Sequence, residues 1–240
     1  LIIPAIDLKG GRCVRLTQGE MNSETVYAED PVAMAQDWEA QGAARLHLVD
    51  LDGAVAGQAV HAPEIGRIIE SITIPVQIGG GIRSLSQIEK YLSMGAAAVI
   101  LGTAALQNRP LVREACLKFP GKILAGIDSK EGKVAIRGWK ELCSETPTHL
   151  AVEMQDAGVA SIILTDIERD GMLSGPNLDL LQEVAQQVDI PLIASGGITT
   201  LEQIAALSRL KGVGGMIVGK ALYVGRFTLQ EALALLRKGT

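Results

Sequence analysis

Two aspartates recur in matched settings about half a chain apart, in Pro4-Ala5-Ile6-Asp7 and Ala125-Gly126-Ile127-Asp128. Each closes a short apolar run, so each carboxylate stands where a strand-like segment ends. Carboxylates in unlike surroundings can divide proton work, one ionised as base and the other protonated as acid. The residue pattern leaves open which does which. Glycine motifs recur with a similar offset. Gly79-Gly80-Gly81-Ile82 aligns with Ser195-Gly196-Gly197-Ile198, and Leu101-Gly102-Thr103-Ala104 with Val218-Gly219-Lys220-Ala221. Backbone N–H groups at glycine-rich helix starts are natural anion acceptors. Gly80, Gly81, Gly102 and Thr103 would form one phosphate corner; Ser195, Gly196, Gly197, Gly219 and Lys220 would form its mate. Two facing corners imply a long substrate with a phosphate at each end. Lys220 reads as a phosphate contact or helix start in preference to a Schiff-base lysine.

The elements that must position these residues are legible as alternating runs. Short aliphatic stretches at Leu1–Ile6, Leu46–Val49, Ile74–Ile78, Ala98–Leu101, Ile123–Ile127, Ser161–Leu164, Pro191–Ala194 and Gly215–Val218 suit strands buried on both faces of a parallel sheet. Helical periods lie between them, as in Pro31–Gln41, Leu85–Met94, Leu178–Val188 and Leu201–Leu210. Asp30, Ser84 and Thr200 stand where N-caps belong, and Pro110 in a first turn. Eight strands alternating with eight helices predict an α/β fold, a (β/α)8 TIM barrel, as one domain over residues 1–240. The repeats predict two similar half-barrels, about 1–120 and 121–240, which would put Asp7 and Asp128 on opposed strands. A doubly wound sheet would want G-x-G-x-x-G after its first strand, where this chain has Asp7-Leu8-Lys9-Gly10-Gly11. The first and fifth connections, about residues 9–29 and 129–146, are the longest and are expected to act as lids.

Composition narrows the function. The 240 residues are 48% hydrophobic and 20% charged, with a net charge of −5, and the mean hydropathy is +0.26. That profile excludes disorder, and no apolar run nears the ~18 residues of a membrane span. Nothing at the N-terminus reads as a signal peptide, and three scattered cysteines suggest neither disulfides nor zinc, so a cytoplasmic location is expected. An isoelectric point near 5.3 with two Trp, three Tyr and two Phe argues against a nucleic-acid surface. His47, His61 and His149 are dispersed and read as core or solvent residues, so no metal and no cofactor is implied. No heptad or exposed apolar stripe calls for a partner chain, so a monomer or weak oligomer is expected.

Several motifs then carry a resemblance. They are Pro4-Ala5-Ile6-Asp7-Leu8-Lys9, His47-Leu48-Val49-Asp50-Leu51, Gly79-Gly80-Gly81-Ile82-Arg83, Thr165-Asp166-Ile167-Glu168-Arg169-Asp170-Gly171, Ser174-Gly175-Pro176-Asn177 and Ser195-Gly196-Gly197-Ile198. With them the chain resembles, over nearly its whole length, the histidine-biosynthesis isomerase family HisA, the phosphoribosylformimino-aminoimidazole carboxamide ribotide isomerases. The resemblance implies an Amadori rearrangement of an aminoaldose into an aminoketose, on a small substrate with two phosphoribosyl groups. It implies Asp128 as the acid that opens the ribose ring and Asp7 as the base at the neighbouring carbon, with Thr165 assisting. It also implies that Trp139 stacks on substrate and that Arg15, Arg169, Asp170 and Gly171 contact it. Met172 departs from the family, which commonly has Thr there. The sister cyclase family HisF shares the barrel, the aspartates and both corners, but typically has Pro-Cys-Leu-Asp in its first strand. A dual-substrate isomerase that also takes phosphoribosyl anthranilate is compatible with Arg137 beside Trp139, an arginine that would serve the single-substrate enzyme equally well. A non-catalytic phosphosugar-binding barrel is the remaining alternative.

Overall fold

In the computed structural model the described residues are 1–17, 20–136, 138–139 and 141–238, with the backbone alone described for Thr17, Glu20, Met21, Asn22 and Lys238. The first strand, β1 (Ile2–Lys9), turns back into β2 (Arg12–Thr17) and then β3 (Glu20–Ala28), both antiparallel. Helix α1 (Pro31–Ala40) leads to β4 (Leu46–Asp50), the short α2 (Leu51–Ala56) and α3 (Ala62–Ser71). Next come β5 (Val76–Gly79), α4 (Leu85–Ser93), β6 (Ala98–Leu101), α5 (Thr103–Gln107) and α6 (Arg109–Lys118). The strand β7 (Ile123–Lys130) also turns back, into β8 (Lys133–Ile136) and β9 (Glu141–Leu142), ahead of α7 (Pro147–Ala157). Then follow β10 (Ser161–Asp166), α8 (Leu178–Ala185), β11 (Leu192–Ser195), α9 (Leu201–Arg209), β12 (Val213–Val218), α10 (Lys220–Tyr223) and α11 (Leu229–Lys238).

Eight strands pair in parallel in the order β10-β11-β12-β1-β4-β5-β6-β7, and β7 closes back on β10. The sheet is a closed barrel, so β1 and β7 stand diametrically opposite. Outer helices pack on the strands' other face, and α2, α5 and α10 are short extra helices at the strand C-termini. The expected caps form: Asp30 accepts from Val32 N at 2.9 Å, Ser84 from Gln87 N at 3.3 Å, and Thr200 makes a capping box with Gln203. Among the described residues no helix is long and apolar enough to cross a membrane.

Two expectations change here. The segments read as long connections at 9–29 and 129–146 contain β2–β3 and β8–β9, which extend the barrel strands as antiparallel ribbons. Asp7 and Asp128 therefore lie two residues inside β1 and β7, held in ladder register with Val14 and Ala135. Both carboxylates gain a rigid backbone from this.

The strands sort their side chains by alternation. Ile2, Leu46, Leu48, Val76 and Ile78 belong to the core shared with the helices. Ile3, Ala5, Ala98, Ile100, Leu124, Ile163, Ile193 and Ile217 form a second cluster inside the barrel. On β4 and β5 the inward positions between outward-packed neighbours are polar, His47 and Gln77, and both are buried.

The paired glycines have a packing reason of their own. Gly81 takes φ +71°, and a Cβ there would stand 2.1 Å from Gly53 O. Gly197 takes φ +78°, with the corresponding atom 2.3 Å from Gly175 O. Each loop thus presses backbone to backbone on the loop before it. Gly81→Ala should cost about 2–4 kcal/mol, since strain at positive φ adds to a steric overlap. Urea denaturation reads this directly; a loss under ~0.5 kcal/mol, the size of an ordinary surface substitution, would mean that the two loops part freely.

Candidate active site

The C-terminal strand ends surround one cavity of 250 Å³. Sixteen of the seventeen residues singled out from the sequence line it, and Arg169 is the exception. Asp7, from β1, forms an ion pair with Arg15 of β2, with Arg15 Nη1 at 2.5 Å from Asp7 Oδ2. The arginine reaches the loop after the neighbouring strand β12, where a Cβ on Gly219 would overlap its guanidinium. It also stands 5.8 Å from the ring centroid of Tyr223, whose hydroxyl donates to Ala5 O at 2.9 Å. Arg15 is thereby fixed from three sides, and its acidic neighbours hold it charged against the cost of burial.

On the opposite wall, Asp128 Oδ2 accepts from Trp139 Nε1 at 2.8 Å. Thr165 of β10 is in register with Asp128 and also hydrogen-bonds it. Burial raises the Asp128 pKa, and the two hydrogen bonds oppose that rise. Trp139 has φ +68°, a left-handed backbone that non-glycine residues rarely take. Its bond to Asp128 ties that strained turn to the barrel wall. Arg137 lies outside the described residues.

A third carboxylate, Asp170, enters from the loop after β10. Burial pushes its pKa up to about 6; Arg15 opposes that rise, and Asp7 and Asp128 add to it. Three carboxylates thus share one small cavity with a single guanidinium, and burial favours the protonated form of Asp170 and of Asp128. The sequence marks Asp170 only as a contact, because its shift arises first from burial in the folded loop and then from groups on three other segments.

The glycine corners flank this centre. Gly80 and Gly81 follow β5, and Gly102 and Thr103 open α5; Arg83 also lines the cavity, with Nη2 at 3.4 Å from Ala54 O. Opposite them, Ser195, Gly196 and Gly197 follow β11, while Gly219 and Lys220 follow β12. Lys220 Nζ donates to Gly171 O at 2.7 Å, tying the sixth and eighth loops together. Arg169 instead braces its own loop, donating to Gly175 O at 3.1 Å and lying 3.7 Å from Asp166 Oδ2. Met172 is exposed and lines no part of the cavity.

Among the polar lining residues, two carry no site role in the sequence reading: Arg83 and His47. Away from the cavity, Glu145, His149 and Glu153 bring ligand-type atoms together, but Arg109 bridges the two glutamates, with Nη2 at 3.1 and 2.5 Å.

Residues 1–228 match the family described as "Histidine biosynthesis protein". The 1-(5-phosphoribosyl)-5-((5-phosphoribosylamino)methylideneamino) imidazole-4-carboxamide isomerase of Trichlorobacter lovleyi is 52% identical over 241 residues, spanning 100% of this chain and 98% of the relative. The isomerase of the same name from Pelobacter propionicus is 53% identical over 240 residues, covering 99% and 98%. That from Synechocystis sp. is 52% identical over 240 residues, covering 99% and 94%.

Proposed function

The chain belongs to the histidine biosynthesis protein family, and we infer that it is a ProFAR isomerase, converting a small bis-phosphorylated aminoaldose into the aminoketose. The observation that carries the chemical reading is the opposition of Asp7 and Asp128 across one cavity between two glycine corners. The substrate spans the mouth, with one phosphate at Gly80, Gly81, Gly102 and Thr103 and the other at Ser195, Gly196, Gly197, Gly219 and Lys220.

An acid gives its proton to the ribose ring oxygen, the bond from that oxygen to the anomeric carbon breaks, and a protonated Schiff base forms. Asp7 then takes the proton from the neighbouring sugar carbon. The electron pair left behind forms the enol and neutralises the nitrogen. The enol hydroxyl gives up its proton as the anomeric carbon gains one, which leaves the ketone. Atoms and electrons balance within the substrate, so the residues need only move protons.

The family resemblance assigns the acid to Asp128, which Thr165 orients. One observation favours a second assignment: Asp170 has a pKa of about 6, close to that of a working acid at neutral pH. Arg15 orients Asp7, and Trp139, released from Asp128, stacks on the substrate. A phosphorylated metabolite and free cysteines fit a cytoplasmic setting.

The test is a steady-state assay on ProFAR with neither metal nor an ammonia source added. Turnover to the aminoketose is expected. Turnover that demands ammonia would move the protein to the cyclases, and binding without turnover would leave a phosphosugar-binding barrel.

A further inference from the structure

The barrel interior holds a polar chain that the mechanism above does not use. Six of the eight strands place Ile, Leu or Ala in the inner cluster, while β4 and β5 place His47 and Gln77. The two are in register across the β4–β5 ladder, and His47 is in register with Ala5 of β1, two residues before Asp7. At that level the cavity floor is lined by Ala5, Ile100, Gly126, Ile163 and Ile217, and His47 is the polar group among them. Apolar side chains of similar size would fill the same space without the desolvation cost of two buried polar groups. Packing alone therefore does not account for the pair.

The chain has a direction. Arg45 Nη1 lies 3.5 Å from Gln77 Oε1, and a guanidinium only donates, so it selects the orientation of the Gln77 amide. Gln77 Nε2 then faces His47 Nδ1 at 3.0 Å and donates to it. A ring that accepts at Nδ1 carries its proton on Nε2, the nitrogen left for the cavity that His47 lines. Burial, followed by the charge of Arg15, pushes the His47 pKa down to about 3, so the ring stays neutral at working pH.

We propose that His47 is a further catalytic residue: its Nε2–H, locked in one tautomer by Gln77, donates a hydrogen bond to the sugar oxygen beside the carbon that Asp7 deprotonates. The proposal rests on the isomerase reading above. As the enol forms and passes to the ketone, negative charge gathers on that oxygen. A fixed neutral donor stabilises this charge without competing with Asp7 for the proton, as an imidazolium would. Gln77 is a positioning residue, acting only through His47.

Two measurements on the full chain test this. In wild type with ¹⁵N-labelled histidine, the His47 ring, assigned by its absence in His47→Gln, is expected as the Nε2–H tautomer between pH 5 and 9, a span of about four units above its lowered pKa. Its Nε2 resonance is expected to move when ProFAR is added to the Asp7→Asn variant, which holds substrate while turning it over about 10³–10⁴-fold more slowly. In kinetics, His47→Leu should lower kcat on ProFAR by about 10²-fold with KM changed by less than about threefold. Gln77→Glu should reverse the tautomer, because a carboxylate accepts from Nδ1–H, and should lower kcat as well. An Nδ1–H tautomer in wild type, a resonance indifferent to substrate, or unchanged kcat in His47→Leu would each overturn the proposal. Should His47→Leu fail to fold, the wild-type spectrum still decides. Failure of the isomerase reading looks different, since wild type itself would then not turn over ProFAR.

Discussion

Asp7→Asn is expected to lower kcat on ProFAR by about 10³–10⁴-fold, the upper range for loss of a positioned general base. The substitution keeps the size of the side chain and removes only the capacity to take a proton. KM should change by less than about fivefold, because both glycine corners and Lys220 remain in place and uniform binding energy is untouched. The side effects are also set by the structure. Arg15 loses its ion pair at 2.5 Å while remaining largely buried, so its charge falls more heavily on Asp170. Removing the Asp7 charge, which raises the Asp170 pKa, strengthens that tendency. Any pH limb due to Asp170 should therefore move to lower pH in Asp7→Asn. Single-turnover kinetics on ProFAR across pH check both parts. A variant within tenfold of wild type would remove Asp7 from the chemistry.

What the sequence made legible were features with local signatures. Asp7 and Asp128 each sit at the end of an aliphatic run, and the glycine motifs sit at strand-to-helix turns, so their place at the barrel mouth follows from strand direction alone. The ribbons β2–β3 and β8–β9 gave no such sign. Glu141–Leu142 is a two-residue strand with no period to detect, and its pairing with Ala135 and Ile136 is a tertiary event. Arg169 stands in a motif full of site residues, yet the backbone of Gly175 captures it, and only the folded loop decides that. In the sequence His47 reads as core or solvent, because a lone histidine in an apolar run usually is. Its flanking Leu46 and Leu48, matched by Val76 and Ile78 around Gln77, were a usable signal: alternation inside two adjacent strands places both polar groups inward. The glycines of the paired loops needed no anion to justify them. Gly81 and Gly197 already answer to the carbonyls of Gly53 and Gly175, so any phosphate role is added to a packing role.

Asp170→Asn is expected to separate the two candidate acids. If Asp170 supplies the proton, wild-type kcat/KM falls as pH rises through about 6, where the carboxyl of the free enzyme ionises. In Asp170→Asn that limb disappears, and kcat drops by about 10²–10⁴-fold at its optimum. If Asp128 is the acid, the limb survives in Asp170→Asn and vanishes in Asp128→Asn instead. Stability gives an independent reading with a definite sign. The folded-state pKa of Asp170 lies above that of the unfolded chain, so ionised Asp170 weakens the fold wherever pH exceeds about 6. The penalty fades as pH falls toward the ordinary carboxylate range near ~4. Asp170→Asn should therefore be more stable than wild type at pH 8, by roughly 1 kcal/mol, and no more stable at pH 4. Denaturant titrations at the two pH values check this without substrate. A residue whose removal strengthens the fold while abolishing turnover is held in place for its chemistry. The opposite result, a weaker fold at pH 8, would mean that Arg15 holds Asp170 mainly as a structural counter-ion, and the acid role would return to Asp128.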